Sequence, residues 1–399
     1  MDDWEALVKC YKEDDNPKIL QNIFNQIHEL VNDDLAPFEV EYILSTLLGK
    51  PINLLQTVRD KNTKEDDWDD CMSDILKLLA KLVSVYSNID IFYKDIVSLC
   101  LLSYTPRIRQ LALTCLTNIV PNYALPAADI TRHLNDLEET HKCVAPLVLL
   151  IGAICEHHPE QITETFNRIW RIFLNLLDDN KKSMTIKKAV LQGILSLFKH
   201  YGIELSTLEL NQFYGKLVIY TKTLKFQGVC LSILEDHPGL FRERLSNDVS
   251  FRNYLWNLEN SRSVILSVYK CVADTVQEAK LVEIIEELEK NINSQKYYKK
   301  ITALYAILYI NTKCTANANL NEYIDIQTVD FEIRNGNINY EICDAIFWCI
   351  KSKVLYSDKL LQTSLLFYEN FTQNKRKELL QCFIEADDAI RKVSLHQYS

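Results

Sequence analysis

One helical pattern returns along this 399-residue chain at intervals close to forty residues. A repeat of that kind restricts the possible folds more than any composition does. The clearest copy is Pro106-Arg107-Ile108-Arg109-Gln110-Leu111-Ala112-Leu113-Thr114-Cys115-Leu116-Thr117-Asn118-Ile119, in which Ile108, Ala112, Leu116 and Ile119 fall on one helical face. Pro106 sits at the start, where its missing N–H costs nothing. The frame returns at Leu147, Ile151 and Cys155, and again at Ile186-Lys187, Val190, Ile194 and Leu197. Leu224-Lys225, Gly228 and Leu231 follow, then Val264, Val268 and Val272, then Ile301, Tyr305 and Leu308, and last Ile342, Ile346 and Ile350. The starts at 108, 147, 186, 224, 264, 301 and 342 stand 39, 39, 38, 40, 37 and 41 residues apart. Between them the spacing predicts partner helices over Ile162–Leu177, with Ile162, Phe166, Ile169 and Phe173 on one stripe, over Leu208–Tyr220 and over Lys280–Ile292.

Two helices per period make a helical hairpin, and stacked hairpins bury their cores only against their neighbours. Such a chain escapes the size limit of a single compact core. Gly (8) and Pro (9) are scarce, as long helices with few tight turns require. A hydrophobic content of 48% excludes a disordered chain.

The copy at 106–119 resembles the second helix of a HEAT repeat, where an apolar-basic pair precedes a small residue four positions on: Ile108-Arg109, then Ala112. At the level of spacing the resemblance covers residues 70–355. It implies a right-handed α-solenoid of the HEAT/armadillo kind, about 40 residues per repeat, whose groove takes extended or helical partners and which carries no chemistry of its own. The expected organisation is an N-terminal helical cap over 1–60, HEAT/armadillo-like repeats over 71–310, an Asn-rich insertion or loop over 311–339, and C-terminal helices over 340–399 that close the stack. Residues Lys61 to Asp70 read as an exposed loop, or as the cap of a helix beginning near Cys71. Within 311–339, Ile324, Ile326, Val329, Phe331 and Ile333 nearly alternate, a pattern of extended chain.

Several function classes find no support. There is no run of about 18 apolar residues, so no membrane partner is expected. The acidic start Met1-Asp2-Asp3-Trp4-Glu5 is not a targeting peptide. The expected location is therefore cytoplasmic, nuclear or both, and the twelve cysteines are expected as reduced thiols. The chain contains neither a glycine-rich phosphate loop nor a G-x-S-x-G elbow nor a C-x-x-C pair, so neither an enzyme nor a cofactor is expected. Cys155-Glu156-His157-His158 is the nearest approach to a metal cluster. It reads better as a helix end, where His suits the dipole and Pro159 stops the helix.

Charge is uneven. Residues 1–100 hold 10 Lys/Arg against 20 Asp/Glu, whereas 181–230 hold eight Lys/Arg against two Glu. Such asymmetry steers charged partners. The expected function is a non-catalytic interaction scaffold or adaptor subunit of a larger intracellular complex, with one or more proteins as partners. Candidate partner-binding residues are Lys181, Lys182, Lys187, Lys188, Lys222 and Lys225, together with the aromatic anchors Tyr254, Trp256, Tyr297 and Tyr298. The alternative is a nucleic-acid-associated regulatory subunit, in which a lysine edge over 181–300, extended by Lys216, Lys296, Lys299 and Lys300, contacts phosphates. A sequence pI of about 5.4 weighs against that alternative.

Overall fold

In the computed structural model, residues 105–292 are described apart from 140–142, 259–260 and 277, with scattered helical residues on either side. The expected cap over 1–60, the 311–339 segment and the C-terminal helices over 340–399 lie outside the described residues, save isolated positions. Among the described residues the regular structure is helical throughout, with no strand. The chain divides into two compact units, Met1–Ser206 with Thr223–Val229, and Thr207–Lys222 with Cys230–Ser399.

The first unit contains α1 (Pro106–Ile119), α2 (Ala127–Glu139), α3 (Val144–His157), α4 (Phe166–Asp178) and α5 (Met184–Tyr201). Each of the predicted second helices here is present. Thr105 caps α1, its hydroxyl accepting from the Ile108 N–H, and Pro106 occupies the first turn. Ile108, Ala112, Leu116 and Ile119 are all buried. Arg109 pairs across to Asp136 of α2 at 3.1 Å, which gives the basic residue of the repeat a structural partner. Ser183 caps α5 in the same way, accepting from Ile186 N–H at 3.3 Å.

One boundary differs from the sequence expectation. The helix predicted from Ile162 begins at Phe166. A 3-10 turn over Pro159–Gln161 precedes it. Thr165 then bonds back to the carbonyl of Ile162 at 3.2 Å, a local alternative to helical pairing that delays the start by a turn.

Successive hairpins are tied at their ends by side-chain hydrogen bonds to the backbone. His158 reaches the Val120 carbonyl at 2.7 Å, Gln161 the Leu125 carbonyl at 2.8 Å, and the Tyr201 hydroxyl the Pro159 carbonyl. These bonds fasten the end of one hairpin to the backbone of the hairpin before it. The closest packing joins α3 to α5. A Cβ on Gly152 would lie 3.0 Å from Gly193 Cα, and one on Gly193 would lie 2.9 Å from the Phe173 ring. Two glycines, one on each helix, therefore let the backbones meet.

The second unit contains α6 (Thr207–Thr221), α8 (Arg242–Asn247), α9 (Val249–Leu255), α10 (Arg262–Ala273) and α11 (Glu278–Ile292); α7 (Leu224–Asp236) runs through the division at Val229. Helices α8 and α9 are one hairpin arm broken at Asp248. Its carboxylate caps α9 by accepting from Phe251 N–H at 2.9 Å and also accepts from the Tyr214 hydroxyl at 3.2 Å.

A buried ionic cluster holds this unit. Arg252, 2% exposed, meets Glu287 of α11 in a two-pronged pair with Nη2–Oε2 at 2.6 Å, and donates to the carbonyls of Leu245 and Ser246. The Tyr269 hydroxyl donates to Glu287, and the Trp256 indole donates to Tyr269 at 3.0 Å. Removing one partner of such a pair leaves an uncompensated buried charge. Glu287→Ala is expected to cost about 3–5 kcal/mol in urea unfolding, while the paired change Arg252→Met with Glu287→Leu recovers most of that loss.

His133 on α2 is 2% exposed and neither ring nitrogen has a hydrogen-bond partner. Burial, helped by the Arg132 charge and opposed by Asp136 and Asp129, lowers its pKa to about 4. The unfolded chain takes up a proton near pH 6.5 and the folded chain only near 4, so the unfolded state binds more protons in between. Stability is then lost as pH falls through that window, by about 3 kcal/mol in all. Unfolding titrations of wild type and His133→Leu between pH 7 and 4 check this, the variant being expected to lack that component.

The glycine contact makes a separate forecast. Gly152→Leu forces a side chain against backbone and should cost about 1–3 kcal/mol. Gly215→Ala on α6 and Gly228→Ala on α7, where an added Cβ meets nothing within 4 Å, should instead gain about 0.5–1 kcal/mol from helix propensity. Urea midpoints of the three variants give the signs.

Candidate partner-binding surfaces

The turn between α4 and α5 is shaped by Asp179, whose carboxylate accepts from the Lys181 N–H at 2.8 Å while its carbonyl accepts from the Lys182 N–H at 3.1 Å. This local pairing presents the Lys181 side chain to solvent, with Lys182 half-buried beside it. Lys188 and Lys225 are exposed, and all four belong to the first unit. Lys187 does not join them. It is only 9% exposed on the inward side of α5, because it lies one turn before buried Val190 and Leu191 on the same helical face.

Lys182 borders a second feature that the sequence did not single out. A cleft of about 370 Å³ opens between α2 and α4, with Leu137, Ile172 and Leu176 as its apolar floor and Glu138, Arg168, Arg171 and Lys182 on its rim. Arg168 is fixed there by Glu138, with Nε–Oε1 at 3.3 Å, and by Asn135 at 2.7 Å. The Arg168 hydrogen bond holds the Glu138 carboxyl below its ordinary range, although burial opposes this. The signal in the sequence was Arg168 and Arg171 three apart on the side of α4 away from Phe166, Ile169 and Phe173.

In the second unit Lys222 is exposed and its ammonium lies 5.7 Å from the centre of the Tyr254 ring, within cation–π range. Tyr254 is half-buried, stacks on Phe251 with centroids 6.3 Å apart, and donates to the Thr221 carbonyl at 3.5 Å. Of the predicted aromatic anchors, Tyr254 thus stands at a surface beside a cation. Trp256 does not: it is 2% exposed, and its indole N–H is consumed by Tyr269. Its ring lies against that of Tyr269, with centroids 5.9 Å apart. Lys299 donates to Asn257 at 3.2 Å. Tyr297, Tyr298, Lys296 and Lys300 lie outside the described residues.

The Cys155-Glu156-His157-His158 stretch forms the end of α3. Glu156 accepts from Ser196 at 2.9 Å and Lys199 at 2.6 Å, and His158 turns to Val120, so the four side chains diverge. Among the described residues no three His, Cys, Asp or Glu side chains are placed to share a metal ion. Burial pushes the Cys115 and Cys230 thiols up to about 12 and the Cys155 thiol upward as well, which leaves all three un-ionised and unreactive at neutral pH. No helix of the described residues is long and apolar enough to cross a membrane.

No family model matches the chain, and no curated protein matches it. Solved structures do. One is Kap95p, whose binding induces the switch loops of RanGDP to adopt the GTP-bound conformation, with a TM-score of 0.64 at 13% identity over 96% of this chain and 56% of that one. Another is importin beta, with a TM-score of 0.63 at 12% identity over 95% of this chain and 53% of that one. An engineered protein aligns over 96% of this chain and 98% of its own, with a TM-score of 0.53 at 13% identity. The chain thus spans about half the length of the two importin-type structures. The fold is an all-α helical solenoid like that of those structures.

Proposed function

We propose that this chain is a non-catalytic scaffold, holding protein partners against its helical repeats within a larger intracellular complex in the cytoplasm, the nucleus or both. The observation that carries the reading is the likeness in fold, over nearly the whole chain, to Kap95p, a helical-repeat protein that acts on RanGDP by binding it. The surfaces support it. The α2–α4 cleft offers an apolar floor inside a charged rim, where Arg168 is paired with Glu138 and Arg171 and Lys182 share the edge with Asp179, a composition that seats a side chain of a partner and reads its charge. Lys181 and Lys188 are further exposed cations of the first unit.

A nucleic-acid partner is the second reading, and it draws on the same surface cations. Burial of Lys187 removes one contact from its proposed edge, and the net charge of −10 opposes a polyanion.

Affinity purification of the full chain from its native cells, with and without nuclease, separates the two. The scaffold reading expects a defined set of proteins that survives nuclease. It also expects Arg171→Glu with Lys182→Glu to weaken the retained partner about tenfold or more, while circular dichroism stays unchanged. A set that vanishes with nuclease, and with Lys181, Lys182, Lys188 and Lys225 reversed to Glu, supports the nucleic-acid reading instead.

A further inference from the structure

Along α4, Arg168, Arg171, Asn175 and Asp179 stand at i, i+3, i+7 and i+11, a polar stripe that borders the α2–α4 cleft, with Ile172 and Leu176 beside it as floor. Most of its charges are already matched. Arg168 donates to both oxygens of Glu138 and to Asn135, which occupies Glu138 as well. Asp179 accepts from the Lys181 N–H and shares its turn with the opposite charge of Lys182. Arg171 is exposed, and among the described residues no hydrogen bond or ion pair holds its guanidinium, although the Glu138 charge lies within reach. Arg168, Arg171 and Lys182 thus face two acids, Glu138 and Asp179, and the unmatched cation is Arg171.

An unoccupied guanidinium presents a planar fork of N–H donors that a carboxylate matches with two bonds. A phosphate dianion carries more charge than Arg171 can match and would stand beside the Glu138 carboxylate. Asp179 lies about 12 Å along the helix from Arg171, beyond the Debye length of about 8 Å, so it leaves a carboxylate there largely undisturbed. One turn on from Arg171, Asn175 is exposed and its side-chain amide is also unoccupied. An amide donates and accepts at once, so it pairs with the N–H and C=O of a peptide unit whatever the sequence. A helix has spent those groups on itself, whereas an extended segment still offers them. The volume of about 370 Å³ stands at the small end for binding pockets and takes a few residues. In an extended chain, side chains two residues apart point the same way about 7 Å apart, close to the rise of about 5.4 Å per turn that separates Arg171 from the level of Leu176.

We propose that the α2–α4 cleft binds an extended segment of a partner protein through an aliphatic side chain and an Asp or Glu side chain two residues apart. The aliphatic group seats on Leu137, Ile172 and Leu176, the carboxylate takes the Arg171 fork, and the Asn175 amide pairs with the main chain between them. The proposal rests on the scaffold reading and names the partner chemistry for this cleft.

The probes are short fluorescein-labelled peptides of threonine and serine carrying one leucine and one glutamate two positions apart, in either order, with twins in which glutamine or phosphoserine replaces the glutamate. Titrated with the full chain, one order of the glutamate peptide should bind saturably with Kd of about hundreds of micromolar, and its glutamine twin about tenfold more weakly. Arg171→Gln, at an exposed position, should erase the difference between the two twins, a coupling that a merely structural role would not produce. Asn175→Trp, which fills the cleft from its rim, should abolish binding, and Lys188→Gln, outside the cleft, should change nothing. Absence of saturable binding in both orders, equal binding of the glutamine twin, or a gap between the twins that survives Arg171→Gln would overturn the proposal. Tighter binding of the phosphoserine twin would overturn it in favour of a phosphate ligand, and self-association in sedimentation that Arg171→Gln abolishes would assign the cleft to a second copy. A nuclease-resistant partner set recovered alongside any of these failures sinks the cleft proposal alone; its loss as well sinks the scaffold reading.

Discussion

Two helices of the first unit meet where neither has a side chain. Gly152 on α3 faces Gly193 on α5, and the Phe173 ring closes over the second glycine. That approach decides what surrounds it. With the axes so near, Val148, Ile151, Val190 and Ile194 interlock instead of merely touching, and all four are fully buried. It also brings the ends of the hairpins near enough for His158, Gln161 and Tyr201 to bond to backbone carbonyls of their neighbours. A larger residue at either position would lengthen the distances on which those bonds depend.

The second unit solves the same problem differently. There a charged pair, Arg252 with Glu287, crosses between α9 and α11, and Tyr269 and Trp256 complete its hydrogen bonds. Buried pairs of this kind add little net stability over a well-packed apolar core, but they penalise any misaligned packing, since a shifted hairpin strands a charge. Register is what a stack of similar hairpins most needs specified, as each hairpin resembles the one beside it.

The sequence disclosed the helices because they obey a local rule, the return of apolar residues at helical spacing. Thus α1, α3 and α5 stand where Ile108, Leu147 and Ile186 place them, and α6 spans Thr207–Thr221 against an expected 208–220. The rule fails where local chemistry competes with it, as at Ile162, where threonines and a 3-10 turn hold off the start of α4. It also fails for anything decided at a distance. Arg252 and Glu287 are 35 residues apart, and neither looks unusual in its own helix. Lys187 and Trp256 read as surface anchors by residue type, yet both are buried, because exposure depends on which neighbour covers them. The cleft beside Arg168 needs two helices before it exists.

The central claim is that the α3–α5 contact at Gly152 and Gly193 sets the packing of the first unit. Hydrogen exchange of the intact chain, wild type beside Gly152→Leu, tests it most directly. The account predicts that amides of α3 and α5 are among the slowest of that unit in the wild type and that the variant accelerates them strongly. Unchanged protection of α3 and α5 in the variant would contradict it.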